Sequence, residues 1–182
     1  DNLGFSVKTD FWNDNNAIGA YRLAYKKTLD ATHALTPSYS FSRKIPSLYQ
    51  RFSEYGNPAL EMEKHPQLEL LYEKKGSDFW VFSVAPFYSV FEEMVDFVNN
   101  LYENSGKIYN YGAEMKNEIK ITHTFGTKLN VNYLRAYNAT TSSNLLFRPY
   151  WQGSNIWFFM RDRFVTELQF QYLGSRDATN SM

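Results

Sequence analysis

The chain has 182 residues, with 19 basic and 19 acidic side chains and no cysteine. The balanced charge gives no electrostatic basis for nucleic-acid binding, and the lack of cysteine excludes disulfide scaffolds and thiolate metal sites. No run approaches the ~18 apolar residues of a membrane-spanning helix. Aromatic residues make up 18% of the chain, which is typical of aromatic-stacking binders and of barrels with aromatic girdles.

Alternation of apolar and polar residues predicts about nine β-strands. Clear alternation occurs within residues 5–11, 21–26, 35–42, 67–73, 80–85, 118–122, 128–133 and 166–172, and a less regular strand is predicted near Gln152 to Met160. The best helix candidate is Val90 to Tyr102, where apolar residues recur at helical spacing. A strand end followed by a loop fits those residues equally well. The pattern indicates an all-β chain.

The predicted connections alternate between short and long. Short connections span residues 26–32, 73–78, 123–127 and 161–163, long ones span 43–66, 91–108 and 138–148, and 12–16 is intermediate. In an antiparallel meander this alternation places turns at one end of the sheet and loops at the other. Outer-membrane barrels have this asymmetry, with short periplasmic turns and long extracellular loops. Aromatics near several predicted strand ends, such as Tyr109 and Trp151, also fit interface girdles.

Two other architectures share the alternating pattern. One is a small self-contained outer-membrane barrel of about 8 strands, acting as a structural protein or an enzyme, which needs pairing between its first and last strands. The other is a soluble, aromatic-rich β-sandwich that binds carbohydrate and buries its apolar faces against each other. The loop asymmetry favours a barrel over the sandwich.

Three stretches resemble the TonB-dependent receptor family of outer-membrane transporters. Phe41 to Tyr49 is similar to the family's aromatic-x-R-x-P-S-L segment, Gly56 to Lys64 to its N-P-x-L-x-x-E-K motif, and Leu146 to Asn155 to its R-P-x-(aromatic or His)-x-x-x-N strand start. Further similar segments follow in the family's order at Ala85–Tyr88, Tyr109–Glu118 and Tyr172–Arg176. The co-linear order makes the resemblance specific.

The resemblance implies an antiparallel transmembrane β-barrel segment, with about nine strands of a barrel that has about 22. Residues 1–182 are then a partial barrel, with the plug domain and the final strands outside the chain. The implied protein is an outer-membrane transport receptor and not an enzyme. It would import an iron–siderophore, haem or cobalamin, energised by the TonB–ExbB–ExbD complex. Its other expected partners are outer-membrane lipid and the remaining strands and plug of the same receptor.

The resemblance places ligand binding on the long loops, and the candidate side chains there are Tyr49, Arg51, Tyr55 and Tyr102. Arginine offers a bidentate fork to an anionic chelate, and tyrosine offers a flat face with a hydroxyl.

Catalytic and metal chemistry is not indicated. The histidines His33, His65 and His123 lack metal-ligand spacing, and no nucleophile motif or phosphate loop occurs, so we predict no catalytic residue, metal site or cofactor. Four carboxylates are interpreted as charged rows facing a wet interior: Glu69, Glu114, Glu118 and Glu167.

Overall fold

A computed structural model describes residues 1–12, 16–77, 79–140, 142–145 and 148–177, and its main element is a 10-stranded antiparallel sheet. The elements in chain order are β1 (Asn2–Trp12), β2 (Asn16–Thr28), β3 (His33–Lys44), α1 (Leu48–Phe52), β4 (Glu63–Ser77), β5 (Trp80–Phe91), β6 (Val95–Val98), β7 (Leu101–Asn104), β8 (Ile108–Lys120), β9 (Phe125–Asn138), β10 (Ser143–Asn144), β11 (Trp151–Arg161) and β12 (Phe164–Leu173).

The nine long strands form one meander in the order β1-β2-β3-β4-β5-β8-β9-β11-β12, and β10 pairs with β9 beside it. Eight of the nine predicted strands lie within one of these nine, and the remaining one, 118–122, overlaps the end of β8 at Lys120. The all-β prediction is therefore confirmed. Within the described sheet, β1 and β12 are opposite edges that do not pair with each other. This arrangement is that of an open wall, and it disagrees with a closed barrel of about 8 strands.

The short and long connections lie at opposite ends of the sheet, as predicted. The short ones cover residues 29–32, 78–79, 121–124 and 162–163, and the long ones cover 45–62, 92–107 and 139–150. Residues 13–15, which belong to the connection expected to be intermediate, lie outside the described residues. We call the two ends the turn end and the loop end.

Residues 90–102 do not form the helix that their spacing suggested. β5 ends at Phe91, and the loop beyond it contains the two-stranded hairpin β6–β7, in which Val98 pairs with Leu101. The two residues between them, Asn99 and Asn100, have φ of 50° and 64°. Left-handed conformations at both positions form the tight turn whose twist matches antiparallel strands. The Asn-Asn pair was the signal for this hairpin, and the apolar spacing was misleading.

A short helix that the sequence analysis missed lies in the first long loop. Ser47 accepts a hydrogen bond from the Gln50 amide at 3.2 Å, and the Gln50 side chain accepts one from the Ser47 amide at 2.7 Å. This capping box satisfies amides that α1 cannot pair internally. No helix among the described residues is long and apolar enough to cross a membrane.

The register gathers the large apolar side chains on one face of the sheet. Phe5 lies opposite Leu23, and Leu23 lies opposite Tyr39, so their side chains project from the same side. This face stays uncovered, since Phe5 is 70% exposed and Phe170 is 55% exposed. The buried aliphatic and aromatic residues in the described part of the chain are few, namely Leu60, Ile108, Ala136 and Phe158. A sandwich would bury such a face, so the exposed apolar face is the lipid-facing side of a membrane barrel.

The opposite face carries polar side chains that pair across strands. Arg22 Nη2 lies 3.3 Å from Glu69 Oε1, and Lys26 Nζ lies 2.7 Å from Glu73 Oε2. The contact between Lys128 and Glu118 is longer, at 3.9 Å. These partly exposed pairs agree with the charged rows expected for an aqueous lumen.

Candidate ligand-binding site

The structure brings three of the four predicted ligand-binding residues together at the loop end. The rings of Tyr49 and Tyr102 meet edge to face with centroids 6.2 Å apart. Phe97 links them to the third tyrosine, because its ring lies 5.0 Å from Tyr102 and 5.8 Å from Tyr55. We call these four residues the aromatic loop cluster. Edge-to-face pairs of this kind add about 0.5–1.5 kcal/mol beyond the area that they bury.

Local structure places the members of the cluster. Tyr49 stands on α1, and the tight turn of the β6–β7 hairpin sets Phe97 directly opposite Tyr102. A backbone hydrogen bond of 3.1 Å from the Tyr102 amide to the Tyr55 carbonyl joins the hairpin to the first loop. The cluster therefore depends on the docking of two loops that leave different strands.

The fourth predicted residue, Arg51, is engaged within its own loop. Its Nη2 donates to the Pro58 carbonyl at 2.9 Å, and its guanidinium carbon lies 5.2 Å from the centroid of the Phe52 ring. Part of the donor fork is thus occupied, which reduces its capacity for a bidentate contact with an anion. Arg51 holds the loop in shape in this structure.

The cluster faces solvent, and its neighbours extend it into an apolar surface. Tyr49 is 60% exposed and Phe97 is 48% exposed. Other exposed apolar residues on the same two loops are Leu48, Phe52, Val98 and Leu101. Contiguous exposed apolar surface marks binding sites for ligands or partners. Ring faces with nearby hydroxyls can stack on a flat or apolar ligand and donate hydrogen bonds to its polar rim.

Buried polar contacts fasten the two loops at their base. Glu63 is only 8% exposed, and its carboxylate accepts hydrogen bonds from Lys44 Nζ and from the Val95 amide, each at 3.2 Å. Asn104 exchanges hydrogen bonds with the backbone of Glu61 at 2.9 and 3.2 Å. Hydrogen bonds from a charged group and from the backbone compensate the buried carboxylate for its lost hydration. These contacts hold the two loops together beneath the aromatic loop cluster.

Two further contacts order the neighbouring loops. Lys107 Nζ lies 2.8 Å from Glu92 Oε1, and this hydrogen bond raises the pKa of Lys107 above its ordinary value. The Tyr150 hydroxyl donates to the Asp177 carboxylate, which raises the pKa of Tyr150. Asn144 donates to the Tyr150 hydroxyl at 3.3 Å. The first contact closes the second long loop at its base, and the contacts of Tyr150 tie the third long loop to the segment after β12.

A cavity of about 240 Å³ lies below the loops and is lined in part by Lys44, Glu63, Asn110 and Arg148. Asn110 is 6% exposed, and its Oδ1 has no partner among the described residues. Sequence reasoning missed both Asn110 and Phe97, because neither carries a local signal of its role. No group of three or more His, Asp or Glu side chains in the described part of the chain could hold a metal ion.

Comparison with known proteins gives a family match and a set of similar folds. The family described as TonB dependent receptor-like, beta-barrel, matches residues 2–181. The copper transporter OprC has a TM-score of 0.75 at 13% identity, over 91% of this chain and 28% of that chain. The ferric enterobactin receptor PfeA from Pseudomonas aeruginosa, solved with enterobactin, has a TM-score of 0.75 at 16% identity, over 89% of this chain and 28% of that chain.

The ferric yersiniabactin uptake receptor FyuA from Yersinia pestis has a TM-score of 0.66 at 16% identity, over 87% of this chain and 26% of that chain. At these identities the structural likeness establishes a shared fold. The chain spans 26% to 28% of the length of these three proteins.

Proposed function

Since the chain belongs to the TonB-dependent receptor-like β-barrel family, we propose that it is part of the wall of an outer-membrane receptor that captures a scarce ligand on its long loops and imports it with TonB-coupled energy. The observation that carries this proposal is the aromatic loop cluster at the end where all the described long loops lie. A transport receptor needs such a capture surface where its ligand arrives.

The ligand class that we favour is a metal or a metal chelate. The three solved neighbours are named for copper, ferric enterobactin and ferric yersiniabactin. The aromatic loop cluster suits the apolar or ring-bearing surface of an iron–siderophore, haem or cobalamin, because tyrosine faces stack on flat groups. Tyr49, Tyr55 and Tyr102 are the proposed contacts, and Arg51 supports them through its loop.

The rest of the receptor is required for transport. The edges of the described sheet, β1 and β12, would leave backbone donors and acceptors unpaired, which lipid does not tolerate. In the proposed receptor, further strands of the same barrel would pair with them. The plug domain would occupy the lumen beside the charged rows, and the TonB–ExbB–ExbD complex would act through parts outside this chain.

The test uses the full-length receptor that contains these strands, produced in a Gram-negative host that lacks its own receptors. We expect it in the outer-membrane fraction, with a heat-modifiable migration on gels. Under metal limitation it should restore uptake of a ferric siderophore, haem or cobalamin only when the host has TonB. A soluble receptor, or uptake that is the same with and without TonB, contradicts the proposal.

A further inference from the structure

A groove of about 340 Å³ opens on the lipid-facing side where β9, β11 and β12 meet. Its floor is Gly153, which lies opposite Val131 on β9 and Tyr172 on β12. The other apolar side chains around it are Leu129, Trp151 and Phe170. Asn155 also lines the groove on this face, and the other side chains that surround Gly153 there are apolar.

Backbone crowding does not account for the glycine. A Cβ atom at Gly153 would meet nothing closer than the Asn130 carbonyl oxygen at 3.5 Å, which is ordinary contact. A side chain could stand there and fill the groove. The glycine therefore keeps this space open.

A cation lies on the same face, towards the loop end. Arg135 lies two residues beyond Tyr133 on β9 and opposite Tyr111 on β8, so its side chain leaves the sheet on the lipid-facing side with theirs. Its guanidinium carbon lies 5.1 Å from the centroid of the Tyr150 ring, and it hydrogen-bonds to Tyr111 and Tyr150. The Nε atom is buried without a hydrogen-bond partner among the described residues.

In the described part of the chain, no carboxylate contacts Arg135 directly. Asp177 reaches it only through the shared Tyr150 hydroxyl. A cation on a lipid-facing surface costs little only near an interface, and there it attracts anionic headgroups.

Arg135 and the groove are adjacent. Tyr133, the next residue on this face of β9, packs on Trp151 with ring centroids 4.7 Å apart, and Trp151 lines the groove. We propose that this surface binds one molecule of a phosphorylated glycolipid of the outer leaflet, with an acyl chain in the Gly153 groove and a phosphate on Arg135. The guanidinium carries five N–H donors, so its hydrogen bonds to the two tyrosines leave donors for a phosphate oxygen.

This inference rests on the proposed function, since it takes the loop end to face the outer leaflet. The tyrosines around Arg135 support it. Tyr111 is 43% exposed and Tyr137 is 37% exposed. Their hydroxyls at the membrane interface can bond to sugar and phosphate oxygens beside the guanidinium.

The test measures lipid A-type glycolipid that stays bound to the full-length receptor after purification in mild detergent, by mass spectrometry against an internal standard. The variants are R135Q and G153L. The matched control is R161Q, because Arg161 lies on the same face of β11 but at the turn end. Retained heat-modifiable migration shows that each variant is folded.

We expect the wild type and R161Q to retain a stoichiometric amount of glycolipid, R135Q to lose most of it, and G153L to retain clearly less than the wild type. Wild-type retention by R135Q overturns the site, as does an equal loss in R161Q or the recovery of glycerophospholipid alone. TonB-dependent uptake is measured separately. Normal uptake with unchanged retention in R135Q refutes the lipid site alone, whereas absent uptake with the expected retention pattern refutes the transport function alone.

Discussion

The ring of Tyr102 lies edge to face against the ring of Tyr49, with centroids 6.2 Å apart, and this contact joins two loops that leave different strands of the sheet. One residue stands on α1 and the other on β7. Any ligand that spans both loops depends on their being held together.

Replacing Tyr102 tests this coupling. Tyr102→Ala should weaken binding of the transported chelate about fivefold, because loss of the ring contacts costs about 1 kcal/mol. Tyr102→Phe keeps the contacts and should stay within about twofold of the wild type if the hydroxyl is not itself a ligand. Equilibrium binding to the full-length receptor measures both. Tyr25→Ala, at the turn end, is the control, and unchanged affinity in Tyr102→Ala refutes the role.

The hairpin turn gives a second prediction. Asn99→Val places a β-branched residue at φ 50°, where strain of about 1–2 kcal/mol is expected. Amide hydrogen exchange across residues 95–104 of the full-length receptor should then accelerate. Asn100→Gly, at φ 64°, relieves strain and should exchange as slowly as the wild type or more slowly. Equal exchange in both variants would show that the turn does not limit hairpin stability.

A hydrogen-bonded polar pair on the lipid-facing side gives a third prediction. The Trp80 indole N–H donates to Asn117 Oδ1 at 2.8 Å. Asn117→Leu leaves that donor without its partner and should destabilise the folded barrel by about 1–3 kcal/mol. In the double variant Trp80→Phe/Asn117→Leu neither polar group remains, and most of the loss should be recovered. The loss of stability is measured as the denaturant concentration at which half of each variant loses its heat-modifiable migration. Additive losses in the double variant would contradict the pairing.

Two glycines on different faces of the sheet should differ in how well they tolerate substitution by alanine. A Cβ atom at Gly112 would lie 2.0 Å from the Tyr133 carbonyl oxygen, whereas one at Gly153 has 3.5 Å to its nearest neighbour. Gly112→Ala must shift backbone and should lower the yield of folded receptor, while Gly153→Ala should fold normally. The yield of heat-modifiable protein in the outer membrane is the measurement. Equal yields would show that β8 and β9 can separate without cost.

The turn between β2 and β3 should resist acid. Hydrogen bonds from the Thr32 amide and hydroxyl, with the His33 ring close by, hold the pKa of Asp30 well below its usual value of 3.8. Because the pKa of Asp30 is lower in the folded state, its ionised carboxylate stabilises the turn at any pH above the pKa of the unfolded chain. This stabilisation is lost only as the pH falls through the lower pKa of the folded state. Exchange protection of the Thr32 and His33 amides should persist at pH 3 in the wild type and be absent in Asp30→Ala. Loss of protection between pH 5 and 4 would contradict the shift.

The strands were predictable because their signal is local. Residues such as Leu129, Val131 and Tyr133 alternate with Lys128, Asn130 and Asn132, and β9 contains them all. The family resemblance, read from motif order, is confirmed over residues 2–181. The helix suggested for residues 90–102 is wrong because apolar spacing over a short segment fits a hairpin as well, and the two asparagines decided the turn.

The candidate site was predictable only in part. Loop position pointed to Tyr49, Tyr55 and Tyr102, and the structure brings them together. Their common partner, Phe97, had no signal, because its role depends on docking of the hairpin against the first loop. Arg51 was chosen for its chemistry, and in the structure it contacts Pro58 and Phe52 within its own loop, so its role as a ligand contact stays a prediction.

The strands, the alternation of turns and loops, and the apolar face follow from local patterns in the amino-acid sequence, since period-two alternation and turn chemistry act between near neighbours along the chain. The fold was needed to show which loops meet and which side chains lie beside each other across strands. Tyr49 contacts Tyr102, and Arg135 lies next to the Gly153 groove, because strand register and loop docking bring together residues that no local pattern relates.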